Sequence, residues 1–204
     1  MLYYINVTLP HRIELNTRGG AQMAKKALII LADGFEETEA IMTVDILRRA
    51  NIEVTLAGLT AMTVKSSHSI TLVAETLLKD TTDDFDAIIL PGGSRGAENL
   101  HQSELVNALI KKMRAEGKLI AAICAAPAIV LAPTGILDNR SATCFPSMED
   151  NFNPSTKFKA ERVVIDDAII TSRAAGTTGE FALAIVENLA GKNIAQKIKA
   201  DILA

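Results

Sequence analysis

The residues best placed to do chemistry lie in three short segments. Cys124 follows the apolar run Leu119-Ile120-Ala121-Ala122-Ile123 and precedes Ala125-Ala126-Pro127. A run of strand length feeding a run of helix length puts this thiol at a strand-to-helix turn. Small residues on both sides permit the sharp geometry that exposes a nucleophile. The thiol then lies across a helix N-terminus, whose unpaired N–H groups favour negative charge. That matters because an ordinary cysteine, with a pKa of about 8.5, is almost all thiol at neutral pH. The reading is therefore a reactive thiolate; the competing one is a small buried core residue. Cys144, between Thr143 and Phe145, reads as the buried one of the pair. A Cys124–Cys144 bridge is the further alternative, although two cysteines in 204 residues make no disulfide framework and suit a reducing compartment, the cytoplasm.

The second segment is Asp33-Gly34-Phe35-Glu36-Glu37-Thr38-Glu39, and the third is Pro91-Gly92-Gly93-Ser94. An ionised carboxyl beside Cys124 opposes thiolate formation, whereas a protonated one donates a hydrogen bond to sulfur. An acid that meets Cys124 is therefore expected to be neutral. Gly92-Gly93 offers N–H groups with no side chain in the way, which suits an oxyanion hole shared with the N–H of Ala125; a plain tight turn is the alternative. Other site types fit poorly. Gly92, Gly93 and Gly96 do not form a dinucleotide or phosphate loop. His11, His68 and His101 lack ligand spacing, so no metal is expected, and there is no G-x-S-x-G.

Positioning these segments takes alternating strands and helices. Residues 27–31, 53–57, 87–90 and 119–123 are short apolar runs of the kind buried on both faces of a parallel sheet. Helices are expected over 37–50, with Ile41, Val44, Ile46 and Leu47 inward, and over 103–116, with Leu105, Leu109, Ile110 and Met113 on one face. Ser103 caps the second of these and Gly117 ends it. Residues 64–73 read as a hairpin, 125–131 as a helix, and 163–165 and 168–171 as short strands. Thr177 and Glu180 have capping-box spacing for a helix reaching residue 190, and 192–202 forms the last helix. The whole reads as an α/β, doubly wound, mostly parallel sheet with helices on both faces. In such sheets the ligand site lies beyond the carboxyl ends of the strands, where all three segments converge.

Residues 1–22 look foreign to the rest, so the division is an extension over 1–22 and one domain over 23–204. The extension lacks the parts of a secretory signal; Ile5, Val7 and Leu9 alternate and could add an edge strand. A net charge of −3 gives no basic footprint, which argues against nucleic acid. No apolar run reaches the roughly 20 residues that span a bilayer.

These same segments resemble the ThiJ/PfpI superfamily, and within it the branch holding the Parkinsonism-associated deglycase and bacterial YajL-like proteins. The resemblance runs from about residue 23 to 204. It rests on Ala27-Leu28-Ile29-Ile30-Leu31-Ala32 with Glu36-Glu37-Thr38-Glu39, Leu90-Pro91-Gly92-Gly93, Ala121-Ala122-Ile123-Cys124-Ala125-Ala126-Pro127, and Thr171-Ser172-Arg173 through Glu180-Phe181-Ala182. It implies a flavodoxin-like fold and a homodimer with Asp45 and Arg49 at its interface. It implies that Cys124 is a nucleophilic, oxidisable cysteine, that Glu39 is the buried acid on its sulfur, and that Gly93 and Ala125 supply oxyanion N–H groups. The activities it implies are cofactor-free glyoxalase chemistry on small carbonyl compounds, repair of early glycation adducts, oxidative-stress sensing and chaperone-like behaviour. Two departures stand out. Phe145 replaces a histidine that some relatives carry near the cysteine, which weakens an amidase or peptidase reading. His68 replaces an arginine that in some relatives helps bind anions. The resulting expectation is a cysteine-dependent enzyme for dicarbonyls, with a redox-responsive protective protein as the rival.

Overall fold

The structure is a computed structural model and describes residues 24–81 and 84–204. The expected extension therefore lies outside the described residues. The elements in chain order are β1 (Lys26–Leu31), α1 (Glu37–Arg49), β2 (Glu53–Gly58), β3 (Thr63–Lys65), β4 (Thr71–Val73), β5 (Thr76–Leu77) and β6 (Ala87–Leu90). They continue as α2 (Ser94–His101), α3 (Glu104–Ala115), β7 (Leu119–Ile123), β8 (Ser141–Ala142), β9 (Lys157–Phe158), β10 (Val163–Asp166), β11 (Ile169–Ser172), α4 (Thr178–Ala190) and α5 (Lys192–Asp201).

Seven strands form one sheet in the order β10-β11-β7-β6-β1-β2-β5. All its pairings are parallel except β10 with β11. The central strands bury both faces, and the alternation of their side chains splits the core in two. Ala27, Ile29 and Leu31 of β1 join Ala87, Ile89, Leu119, Ala121 and Ile123 in the layer under α1, α4 and α5. Leu28 and Ile30 face the other way, with Ile88, Leu90, Ile120 and Ala122, under α2 and α3. Helices thus cover both faces, as the fold class requires. Among the described residues no helix is long and apolar enough to cross a membrane.

β1 is flanked by β6 on one side and β2 on the other. The winding therefore reverses between β1 and β6, and the crevice at their carboxyl ends is where this architecture places a ligand. The loop leading to α1 and the Gly92-Gly93 turn emerge there, with Cys124 one strand along, at the end of β7.

Several local expectations are corrected. Ile41 and Leu105 are exposed; Ala40, Thr43, Ile46 and Leu47 make the inner face of α1, while Val106, Ile110 and Met113 make that of α3. Ile46, Leu47, Ile110 and Met113 are buried as expected, whereas Ile41 and Leu105 sit one position off the buried stripe. The expected capping box is absent: Thr177 accepts from the Ala174 N–H at 3.1 Å and donates to its carbonyl at 2.7 Å, while Glu180 pairs with Arg162. A local side-chain turn took the hydroxyl that a cap would have used. Ser94 opens α2, which was not expected, and the segment after Cys124 is a π-helical turn, Pro127–Leu131, not a regular α-helix.

Candidate functional site

Glu39 sits in the first turn of α1. Glu36 caps that helix, its Oε2 accepting the Glu39 N–H at 2.7 Å, and this fixes the turn from which the Glu39 side chain departs. The Glu36 N–H in turn donates to the Gly92 carbonyl at 3.0 Å, which ties the loop after β1 to the loop after β6. Glu39 is only 1% exposed. Its Oε2 accepts the Gly92 N–H at 2.7 Å, while Oε1 is buried with no conventional partner. Cys124 and this carboxyl flank Gly92 together, close enough for the charge of one to shift the other.

Gly92 keeps that contact possible. A methyl group there would lie 2.5 Å from the Cys124 Cβ and 2.7 Å from Glu39 Oε2, too close for either to stay in place. Gly93 has a φ of 81° and backs onto the Gly34 carbonyl, which a side chain would strike at 2.3 Å. The two glycines are required by space as well as by the turn.

Cys124 has a φ of 64°, left-handed backbone that a non-glycine residue adopts at a cost of about 1–3 kcal/mol. Two backbone bonds hold it there. Its N–H donates to the Ser172 carbonyl at 2.9 Å, and its own carbonyl accepts the Phe145 N–H at 2.7 Å. The backbone is that of a sharp strand-to-helix elbow, with Cys124 partly buried and Cys144 fully buried. Both cysteines are free, so the alternative of a bridge between them is not realised.

Charge at the site is governed by burial. Desolvation raises Glu39 to about 7, against the lowering effects of the Gly92 N–H and the Cys124 hydrogen bond; the Glu36 charge adds to the rise. Burial, and then the negative charge of Glu39, push the Cys124 thiol up to about 12, while the N–H groups of Gly93 and Ala125 pull it down. Burial and the Glu39 charge thus work against the expected thiolate, and the N–H groups of Gly93 and Ala125 work for it. With Glu39 ionised the sulfur keeps its proton, because two buried anions in contact are costly. The pair sheds its first proton near neutrality, and the proton that remains is shared between oxygen and sulfur. Gly93 and Ala125 point their N–H groups at the sulfur itself. They are placed to stabilise charge on it and on an oxygen bonded beside it.

Cys124, Glu39, Gly93 and Ala125 therefore meet at one place. Asp45 and Arg49 do not join them; they bond each other at 2.8 Å on the exposed face of α1. The contributions of Ser172, Gly92 and Phe145 to the elbow were not read from the sequence, because they act through backbone groups or through the lack of a side chain. Among the described residues, ligand atoms of Glu36, Glu37 and His68 gather within 4.8 Å, a grouping that spacing along the chain does not reveal. Its contacts are internally satisfied, with His68 Nδ1 on Glu37 Oε1 at 2.8 Å and Ser67 donating to Glu37 Oε2 at 3.2 Å.

A winding reversed at β1 and β6, with a buried acid beside the cysteine of a strand-to-helix elbow, defines a flavodoxin-like cysteine protein. Residues 25–188 match the model of the DJ-1/PfpI family, and the chain belongs to that family. It is 43% identical to Protein dj-1beta of Drosophila melanogaster over 184 residues, covering 89% of this chain and 98% of the relative. The crystal structure of Drosophila melanogaster DJ-1beta superposes with a TM-score of 0.86 over 89% of this chain and 99% of that one. A Caenorhabditis elegans relative named Glutathione-independent glyoxalase DJR-1.2 is 40% identical over 82% of this chain and 90% of its own length. The chain spans only 41% of Protein DJ-1 homolog B of Arabidopsis thaliana, at 40% identity.

The raised Glu39 pKa makes a stability prediction with a definite sign. The folded state holds this proton more tightly than the unfolded chain does between about 4.5 and about 7. Its contribution is therefore complete below about 4.5 and is lost as pH rises through 7. Relative to Glu39→Gln, the wild type should lose up to about 3 kcal/mol of unfolding free energy between pH 4 and pH 8. Urea denaturation of both proteins at the two pH values reads this out; parallel behaviour would show that the carboxyl is not held neutral.

Proposed function

We propose that this protein is a cofactor-independent enzyme that converts small 1,2-dicarbonyls into hydroxy acids through Cys124. The observation that carries the reading is the contact of a buried acid, raised to about 7, with the thiol of a nucleophile elbow. The glyoxalase name of the Caenorhabditis elegans relative supports the same class.

The site residues divide the steps. Sulfur attacks the aldehyde carbon as its proton passes to the Glu39 carboxylate, forming a C–S bond and an alkoxide. N–H groups of Gly93 and Ala125 stabilise that oxygen, and the proton on Glu39 then neutralises it to give a hemithioacetal. Glu39, again ionised, removes the hydrogen from the carbon bearing sulfur to give an enediolate and delivers it to the neighbouring carbon, while the hydroxyl proton passes from the first oxygen to the second, which leaves a 2-hydroxy thioester. Water cleaves the C–S bond, releasing the hydroxy acid and the thiol. The sum is dicarbonyl plus water to hydroxy acid, with no external oxidant or reductant. Repair of early glycation adducts would use the same sulfur addition.

A homodimer through α1 belongs to this reading. Ile41 and Met42 are 45% and 37% exposed on that helix and flank a surface shared with Glu37, Thr38 and Asp45. Large apolar side chains grouped on the solvent-facing side of a helix mark a contact. Sedimentation should give twice the chain mass for the wild type and the single chain mass for Met42→Glu; a wild-type monomer would remove the dimer. The free cysteines fit a reducing cytoplasm.

The activity test is lactate formation from methylglyoxal. We expect Cys124→Ser to lower kcat/KM at least about a hundredfold, and Glu39→Gln similarly, since positioned proton transfer contributes about 10²–10⁴-fold. Unchanged turnover in Cys124→Ser would end the covalent mechanism. Clean oxidation of Cys124 to sulfinate without measurable turnover would instead assign the sulfur to redox response.

A further inference from the structure

Phe145 is 43% exposed, although the residues just before it, Thr143 and Cys144, are fully buried. Its backbone is anything but loose. The Phe145 N–H donates to the Cys124 carbonyl at 2.7 Å, which puts the residue one hydrogen bond from the nucleophile. Its own carbonyl accepts the Met148 N–H at 3.1 Å across Pro146 and Ser147, and Ser147 has a φ of 70°. Proline second and a positive φ third make a type II turn, a rigid mount for the ring. An exposed phenyl ring whose backbone is fixed to the carbonyl of Cys124 loses solvent contact only when something apolar sits against it.

The neighbouring charges argue against a charged tail at this position. Arg173 follows Ser172, the residue that accepts the Cys124 N–H. Its guanidinium is committed elsewhere: Nη1 donates to the Ala160 carbonyl at 3.2 Å and the group lies 5.9 Å above the Phe158 ring. Glu39, the acid on the sulfur, repels an anion once ionised. Residues following the cysteine are Ala125, Ala126 and Pro127, all buried and without polar side chains.

We infer that Phe145 is the specificity-determining wall of the Cys124 site and that the preferred substrates are 1,2-dicarbonyls whose non-reacting end is uncharged and aryl or bulky alkyl. This rests on the dicarbonyl reading above. Ring-on-ring contact explains why a phenyl group gains most. Such pairs contribute beyond simple burial, and the gain is realised only when the ligand end is as flat and apolar as the wall.

The experiment compares phenylglyoxal with methylglyoxal in wild type, Phe145→Ala and Phe145→Leu. The wild type should favour phenylglyoxal in kcat/KM by about tenfold. Phe145→Ala should erase that preference, read as the ratio of the two kcat/KM values, and Phe145→Leu should keep an intermediate preference. A ratio unmoved by Phe145→Ala overturns the inference even though turnover persists. A second readout does not depend on turnover, so failure of the enzymatic reading is seen separately. The alkylation rate of Cys124 by N-phenylmaleimide relative to N-methylmaleimide should fall about fivefold or more in Phe145→Ala; an equal ratio in the two proteins overturns the wall.

Discussion

The contact between the Glu39 carboxyl and the Cys124 thiol is what the rest of the site exists to maintain. Two acidic groups cannot both ionise in a buried contact, so one proton stays between them at neutral pH. The cost appears on both partners: the carboxyl rises to about 7 and the thiol to about 12. In the proposed mechanism this gives the sulfur a base next to its proton, and attack on a carbonyl and transfer of that proton become one event. The two N–H groups on the sulfur act at the same moment, since they favour negative charge on it or on the oxygen that forms beside it.

Each supporting feature is an answer to that constraint. Gly92 has no side chain because any Cβ would separate sulfur from carboxyl, and its N–H holds the carboxyl oxygen that does not need the shared proton. Glu36 spends its carboxylate on capping α1, which sets the departure angle of Glu39. The left-handed backbone of Cys124 is strained, and two strong backbone hydrogen bonds, from Phe145 and to Ser172, keep it there. The sheet supplies the frame. β1, β6 and β7 are parallel neighbours buried on both faces, so their carboxyl ends are fixed relative to one another, and the three chemical segments hang from those ends.

Much of this was legible in the sequence because it rests on local signals. Apolar runs of strand length at residues 27–31, 87–90 and 119–123 announce a parallel sheet, and the small residues around Cys124 announce the elbow. That Cys124 and an acid touching it do not both ionise follows from Coulomb repulsion alone, and the raised Glu39 agrees with it. What was not legible is set by tertiary space or by backbone groups. Nothing in Thr-Cys-Phe-Pro says that the Phe145 N–H will close on the Cys124 carbonyl. Helix faces were misassigned at Ile41 and Leu105 because an apolar side chain does not reveal whether its helix has a further surface to offer. The thiol was expected to be lowered by a helix end, but a single π-helical turn supplies little dipole against partial burial and an adjacent carboxylate.

The most direct measurement is the ionisation of the Glu39 carboxyl itself. Carbon-13 NMR of protein labelled at the glutamate side-chain carboxyl, with Glu39→Gln to identify the resonance, follows its titration from pH 4 to pH 9. The account predicts a midpoint near 7 in the wild type, set first by burial and therefore still well above 4.5 in Cys124→Ser. A Glu39 carboxyl that titrates near 4.5, like an ordinary exposed glutamate, would contradict the shared proton on which the proposed chemistry depends.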